Sequence, residues 1–199
     1  MDTSHSIAHA PGRLVAVNGH DLWVEIEGEG EPLLLLAGGP ASSHLTFHPH
    51  FSALADAFRV IYVDYHGRGR SEAVPANRLD QITFAADVSD IAALIDALGL
   101  GPVNLYGFSY GGMIAMALAL AHPEKLRRVI LANTVHSPEM WQRNHENINR
   151  ELGLQYPEVW EQILALRAQG IRSTDARVQE LYRVHSALVR FYNPDNASR

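Results

Sequence analysis

Short apolar runs and longer amphipathic stretches take turns along the first two thirds of the chain. Leu33-Leu34-Leu35-Leu36 and Val60-Ile61-Tyr62-Val63 are apolar at every position, as expected of strands buried on both faces. Val103-Asn104-Leu105-Tyr106 and Arg128-Val129-Ile130-Leu131-Ala132 are also β-prone. Nearer the N-terminus, Arg13 to Val17 and His20 to Glu27 alternate in character around Asn18-Gly19, a pair that favours a type I′ hairpin turn. Helix signals lie between these runs. Leu45 to Phe58 reads as a helix interrupted near Pro49. Asp87 to Leu98 sets Val88, Ile91, Leu94, Ile95 and Leu98 on one face and stops at Gly99. Met113 to Ala121 is a strong helix former that ends at His122-Pro123. Strands alternating with helices predict an α/β fold, a mostly parallel sheet with helices on both faces.

The pattern changes after Ala132. No strand-like run appears from Pro138 to Tyr192, and amphipathic helices are expected at about Pro138–Leu152, Pro157–Gln169 and Asp175–Tyr192. In the last of these, Val178, Leu181, Tyr182, His185, Leu188, Val189 and Tyr192 share a face. The expected organisation is a flexible tail over residues 1–10, an α/β core over 11–135 and a helical subdomain over 136–199.

Composition narrows the function classes. A chain of 199 residues suffices for one domain with a sizeable core. Hydrophobic residues at 47% and charged residues at 19% are globular values. The net charge of −6 comes from interspersed acids and bases, so there is no basic footprint for nucleic acid. The chain has no cysteine, which removes disulfides, thiolate chemistry and Cys-ligated zinc and fits a reducing compartment. Met1 to Ser6 is polar and lacks the regions of a signal peptide. No apolar run approaches the roughly 20 residues of a membrane span. A cytoplasmic protein without membrane contact is expected. Asn196-Ala197-Ser198 matches a glycosylation acceptor that stays idle without a secretory signal.

The candidate chemistry centres on Gly107-Phe108-Ser109-Tyr110-Gly111-Gly112. A G-x-S-x-G sequence between a strand and a helix reads as a nucleophile elbow. The turn is so tight that the positions flanking Ser109 tolerate little side chain, hence Gly107 and Gly111. The serine hydroxyl then stands at the positive end of the following helix, where the Tyr110 N–H faces a developing oxyanion.

With these residues in view, the chain resembles an α/β-hydrolase and is most similar to the proline iminopeptidase family. The elbow matches that family's pattern, including the second glycine, Gly112. Ala37-Gly38-Gly39-Pro40-Ala41 follows a buried strand where the family has His-Gly-Gly-Pro-Gly. Asp64-Tyr65-His66-Gly67-Arg68-Gly69-Arg70-Ser71 resembles the superfamily's Asp-x-Arg-Gly-x-Gly-x-Ser loop, and the helices after Ala132 resemble the family's cap. The resemblance implies that Gly39 N–H, in the loop of Gly38 and Pro40, joins Tyr110 N–H as oxyanion donor. It implies a serine hydrolase that releases N-terminal residues, or cleaves small amides or esters, through an acyl-Ser109 intermediate. Ala37 and Ala41 depart from the pattern and loosen the assignment within the family. An esterase or lactonase of the same fold is the alternative among enzymes.

In α/β-hydrolases the triad acid and histidine follow the serine, on loops after the last two strands. No strand is expected after Ala132, so the triad acid and histidine are expected not in this chain. Among the later histidines, His122 lies about 20 Å along the helix from Ser109. His136 alone stands near a strand's C-terminal edge, and His145 and His185 fall in the helical region. A complementary C-terminal chain, supplying strands, acid and histidine, is therefore an expected partner. A catalytically inactive fragment or binding module is the alternative from another class.

Other patterns are weaker. Gly67-Arg68-Gly69 invites a dinucleotide reading, but Glu72 stands where the fingerprint needs glycine. His44, His48 and His50 suggest a metal, yet Pro49 breaks the helix that would align them, and a solvated, mixed helix start is expected. No metal site and no cofactor is expected. Glu139, Glu146, Glu151, Glu158 and Glu161 read as solvent-facing helix positions.

Overall fold

The computed structural model describes residues 10–172 and 175–190, with residues 184–190 described by backbone alone. The chain divides after His136 into two compact units. The tail expected over residues 1–10 lies, except for Ala10, outside the described residues.

The first unit is built on one six-stranded sheet. β1 (Arg13–Val17) and β2 (His20–Glu27) form a hairpin closed by Asn18 and Gly19, with φ values of 48° and 89°. Both central residues thus have the positive φ that a type I′ turn requires. β3 (Glu31–Leu36), β4 (Phe58–Val63), β5 (Val103–Phe108) and β6 (Leu126–Ala132) complete the order β1-β2-β4-β3-β5-β6. β4, β3, β5 and β6 are parallel, whereas β2 runs antiparallel to β4. The sheet is therefore mixed, with its parallel part where strands alternate with helices.

The wholly apolar strands are explained by two cores, one on each face. Leu34 and Leu36 of β3 join Ile61, Val63, Leu105, Ile91, Leu94 and Ile114. Their alternate neighbours Leu33 and Leu35 join Val60, Tyr62 and Phe47 on the opposite face. The first face is covered by α1 (Phe84–Ala97) and α2 (Tyr110–Ala121). Thr83 caps α1, its hydroxyl accepting the Ala86 N–H at 3.1 Å, and Leu98-Gly99 ends it. The opposite face carries 3-10 segments at His44–Phe47 and His50–Asp56, in place of the interrupted helix expected from Leu45 to Phe58. Pro49 lacks the N–H that a continuous helix would need there.

β6 closes one end of the sheet among the described residues. Its Ile130 and Leu131 are 50% and 46% exposed, whereas Leu126 and Val129 pack against the first core.

The second unit contains α3 (Pro138–Gln155), α4 (Pro157–Ala168) and α5 (Ala176–Arg190). Ser137 caps α3, and proline opens both α3 and α4 at the first helical position. Leu152, Val159, Ile163 and Val178 form its buried centre. The Tyr182 hydroxyl ties α5 to Asn149 Oδ1 at 2.9 Å. The five glutamates expected on solvent-facing positions of α3 and α4 are all exposed. No helix among the described residues is long and apolar enough to cross a membrane.

Candidate active site

β5, between β3 and β6, delivers the chain to Ser109 just past its C-terminal end. Gly107 pairs with Leu36 of β3 on one side and Leu131 of β6 on the other. Ser109 then takes φ +52° and ψ −113°, a conformation few L-residues adopt, and α2 starts at the next residue. Such backbone strain costs of order 1–3 kcal/mol and persists only where surroundings over-determine it. Here they do. The Ser109 N–H donates to Ala132 O at 2.9 Å, and its carbonyl accepts from Gly112 N–H at 3.0 Å and Thr134 Oγ1 at 2.7 Å. Close approach explains the flanking glycines. A Cβ on Gly111 would stand 2.2 Å from Leu36 O, and one on Gly107 would stand 2.5 Å from Gly111 O. Among the described residues, the hydrogen bonds of Ser109 all use its backbone.

The Gly38-Gly39-Pro40 loop follows β3 and lies directly against the elbow. A Cβ on Gly38 would meet the Phe108 ring at 2.6 Å and Ser109 Cβ at 2.9 Å. Gly39 has φ +63°, and its carbonyl accepts the Ser42 N–H at 3.1 Å in a tight turn. Tyr110 is the first residue of α2, so its N–H has no acceptor within the helix. The loop and the start of α2 thus flank Ser109, and the positive end of α2 favours negative charge there.

A buried ion pair joins the two segments. The Arg68 guanidinium forks onto Asp87, NH1 to Oδ1 at 2.7 Å and NH2 to Oδ2 at 2.9 Å. Its Nε donates to Pro40 O at 2.7 Å. The Tyr110 hydroxyl donates to Asp87 Oδ2 at 2.6 Å. Burial, and then the Asp87 carboxylate, push the Tyr110 phenol up, so it stays a donor at neutral pH. Tyr65, raised mainly by its burial, donates to Ala37 O at 3.1 Å. Each end of the loop is therefore pinned by a side chain that sequence spacing gave no reason to place there.

The Asp64–Ser71 loop is held by its own carboxylate. Asp64 accepts from Arg70 N–H at 2.8 Å and His44 N–H at 2.7 Å, and its Oδ1 lies 2.9 Å from His44 Nδ1. His44 Nε2 stands 3.0 Å from Glu25 Oε1, which also accepts from Trp23 Nε1 and Arg70 NH1. Burial works against protonation of His44, but the hydrogen bond and charge of Asp64, with the charge of Glu25, outweigh it and raise its pKa. His44 and His48 are buried against Glu25, which corrects the solvated helix start expected for them; His50 is exposed. The residues of this cluster stand far apart along the chain, so no local pattern announces it.

Of the later histidines, His122 caps the C-terminus of α2, His136 is exposed, and His145 packs edge-on against Trp141. The side chain of His185 lies outside the described residues. Among the described residues no histidine hydrogen-bonds to Ser109.

Known proteins resemble this chain in sequence and fold. A proline iminopeptidase of Lactobacillus helveticus is 35% identical over 130 residues, covering 63% of this chain and 44% of that protein. A 2-hydroxymuconate semialdehyde hydrolase of Pseudomonas putida is 34% identical over 125 residues, 62% of this chain and 43% of that one. The solved proline iminopeptidase of Mycobacterium smegmatis superposes with a TM-score of 0.73 at 26% identity, over 87% of this chain and 60% of that structure. The chain spans about two fifths of the length of the curated relatives it matches. Residues 31–190 match the family model of the alpha/beta hydrolase fold, and the chain belongs to that family.

Proposed function

We propose that the chain carries the nucleophile and oxyanion hole of a serine hydrolase of the proline iminopeptidase type. The observation that carries this reading is Ser109 held at φ +52° between β5 and α2, against the Gly38 backbone. In the proposed reaction Ser109 Oγ bonds to the carbonyl carbon of an N-terminal residue or a small amide or ester. A histidine takes the hydroxyl proton and returns it to the leaving nitrogen or oxygen as the scissile bond breaks. Water then hydrolyses the acyl-Ser109 ester. The N–H groups of Gly39 and Tyr110 hold the oxyanion during both steps. The triad acid and histidine come from a further segment, which pairs with β6. The exposed Ile130 and Leu131 and the greater length of the relatives support this assignment. The cysteine-free composition supports the cytoplasm as the working compartment.

An esterase or lactonase of the same fold is the second reading, left open because relatives of other substrate classes, such as the semialdehyde hydrolase, match as well as the peptidase does. Labelling by a fluorophosphonate tests the common chemistry in the chain together with its companion segment. The label is expected on Ser109 and is expected to vanish in Ser109→Ala; labelling that survives that substitution refutes the assignment. Relative turnover of proline naphthylamide and a p-nitrophenyl ester separates the two readings. Absence of turnover of either substrate leaves the binding-module alternative standing in their place.

A further inference from the structure

Away from Ser109, the hairpin, the β4 loop and α1 bring together two histidines and a carboxylate that the proposed chemistry does not use. His20 opens β2, His66 follows β4, and Asp90 lies in α1. Their ligand atoms all lie within 4.8 Å of one another. His20 Nε2 is 2.9 Å from Asp90 Oδ2, and the His20 and His66 rings stack at 3.7 Å and 8°. We propose that His20, His66 and Asp90 bind a divalent transition-metal ion.

Three observations carry this. The donor set is two imidazoles and one carboxylate, which suits zinc, cobalt, nickel or ferrous iron and leaves coordination positions for solvent. The carboxylate is already oriented, because Asn18 Nδ2 donates to Asp90 Oδ1 at 2.8 Å, leaving Oδ2 toward the histidines. Such outer partners fix the geometry of metal ligands. The site opens on a cleft of about 380 Å³ whose wall includes Glu72 and Gln81, so an ion and its waters have access. Tetrahedral sites with bonds of 2.0–2.2 Å space their donors about 3.3 Å apart. His20 and Asp90 therefore need to part by only a few tenths of an ångström, while His66 must turn out of its stack on His20 so that both rings aim a nitrogen at the ion. The second histidine–carboxylate cluster, Glu25 with His44 and His48, is less suited. It is fully enclosed, and the Arg70 cation already sits on Glu25 Oε1 at 2.9 Å.

The alternative is that His20 and Asp90 form a plain ion pair with His66 stacked on it. Cobalt titration of the untagged, chelator-stripped 199-residue chain decides between them, read by visible absorption and by calorimetry. One equivalent is expected to bind. Zinc should displace it. His66→Gln and Asp90→Asn should each weaken binding at least tenfold, with unchanged far-ultraviolet dichroism, whereas His145→Ala should not. Cobalt should also broaden the ring resonances of His20 and His66 and spare those of His44. Absence of stoichiometric binding, binding unchanged in both variants, or broadening confined to other histidines would overturn the proposal.

Discussion

Asp87→Ala removes the carboxylate on which Arg68 and Tyr110 converge. The side chains of Arg68 and Asp87 are only 7% and 2% exposed, so the guanidinium left behind stays buried without its fork of two hydrogen bonds. Stranding one member of a buried ion pair costs about 3–5 kcal/mol. The Tyr110 hydroxyl also loses its acceptor at 2.6 Å, so the upper half of that range is expected. With a urea dependence of about 2 kcal/mol per molar, 4 kcal/mol moves the unfolding midpoint by about 2 M. Tyr110→Phe removes one hydrogen bond and is expected to cost about 1 kcal/mol. The double variant Arg68→Met with Asp87→Leu replaces both charges by apolar groups and should recover most of the loss. Hydrogen exchange on the same samples should show the Ser42 amide, bonded to Gly39 O, opening faster in Asp87→Ala. A midpoint shift below about 0.5 M for Asp87→Ala, or a double variant as unstable as the single one, would refute the reasoning.

Three further outcomes are expected. Ser109→Gly relieves the +52° φ and should raise stability by about 1 kcal/mol while removing the proposed nucleophile, as urea midpoints and fluorophosphonate labelling will show; a lower midpoint counts against strain at that position. The folded-state pKa of His44 is raised above 6.5, so its contribution is fully present below that pH and is lost as pH rises through the raised value. The midpoint difference between wild type and His44→Gln should shrink from about pH 6 to pH 9, and a difference that grows would invert the assignment. Ile130→Lys places a charge on the exposed edge strand and should reduce self-association of the isolated chain in light scattering; unchanged association would show that β6 is not the sticky surface.

The sequence was legible wherever one local pattern had one physical cause. The strands could be read because Leu33-Leu34-Leu35-Leu36 and Val60-Ile61-Tyr62-Val63 are buried on both faces. The elbow could be read because Gly107 and Gly111 answer to steric limits within a few residues of Ser109. Strand order could not, since nothing in β4 says that it lies between β2 and β3. The same holds for the Arg68–Asp87–Tyr110 network, whose members are separated by 19 and 23 positions. His44 and His48 misled because a broken helix hides burial: the 3-10 turns that replace it point both rings inward at Glu25. His20, His66 and Asp90 converge only through the hairpin, the β4 loop and α1, each carrying one donor.

The pairing of Gly107 with Leu36 also sets an order of events during folding. These two residues are 71 positions apart, whereas the β1–β2 hairpin closes through two residues. Local contacts form early, and a closure of that length bears a larger entropic cost before any contact rewards it. The carbonyl of Leu36 crowds Gly111 only once β3 and β5 have met, so the distorted serine belongs to the last assembled part of the sheet. A nascent chain would thus carry an ordinary, relaxed Ser109 until β3, β5 and β6 are side by side, and the turn would take on its strain only then.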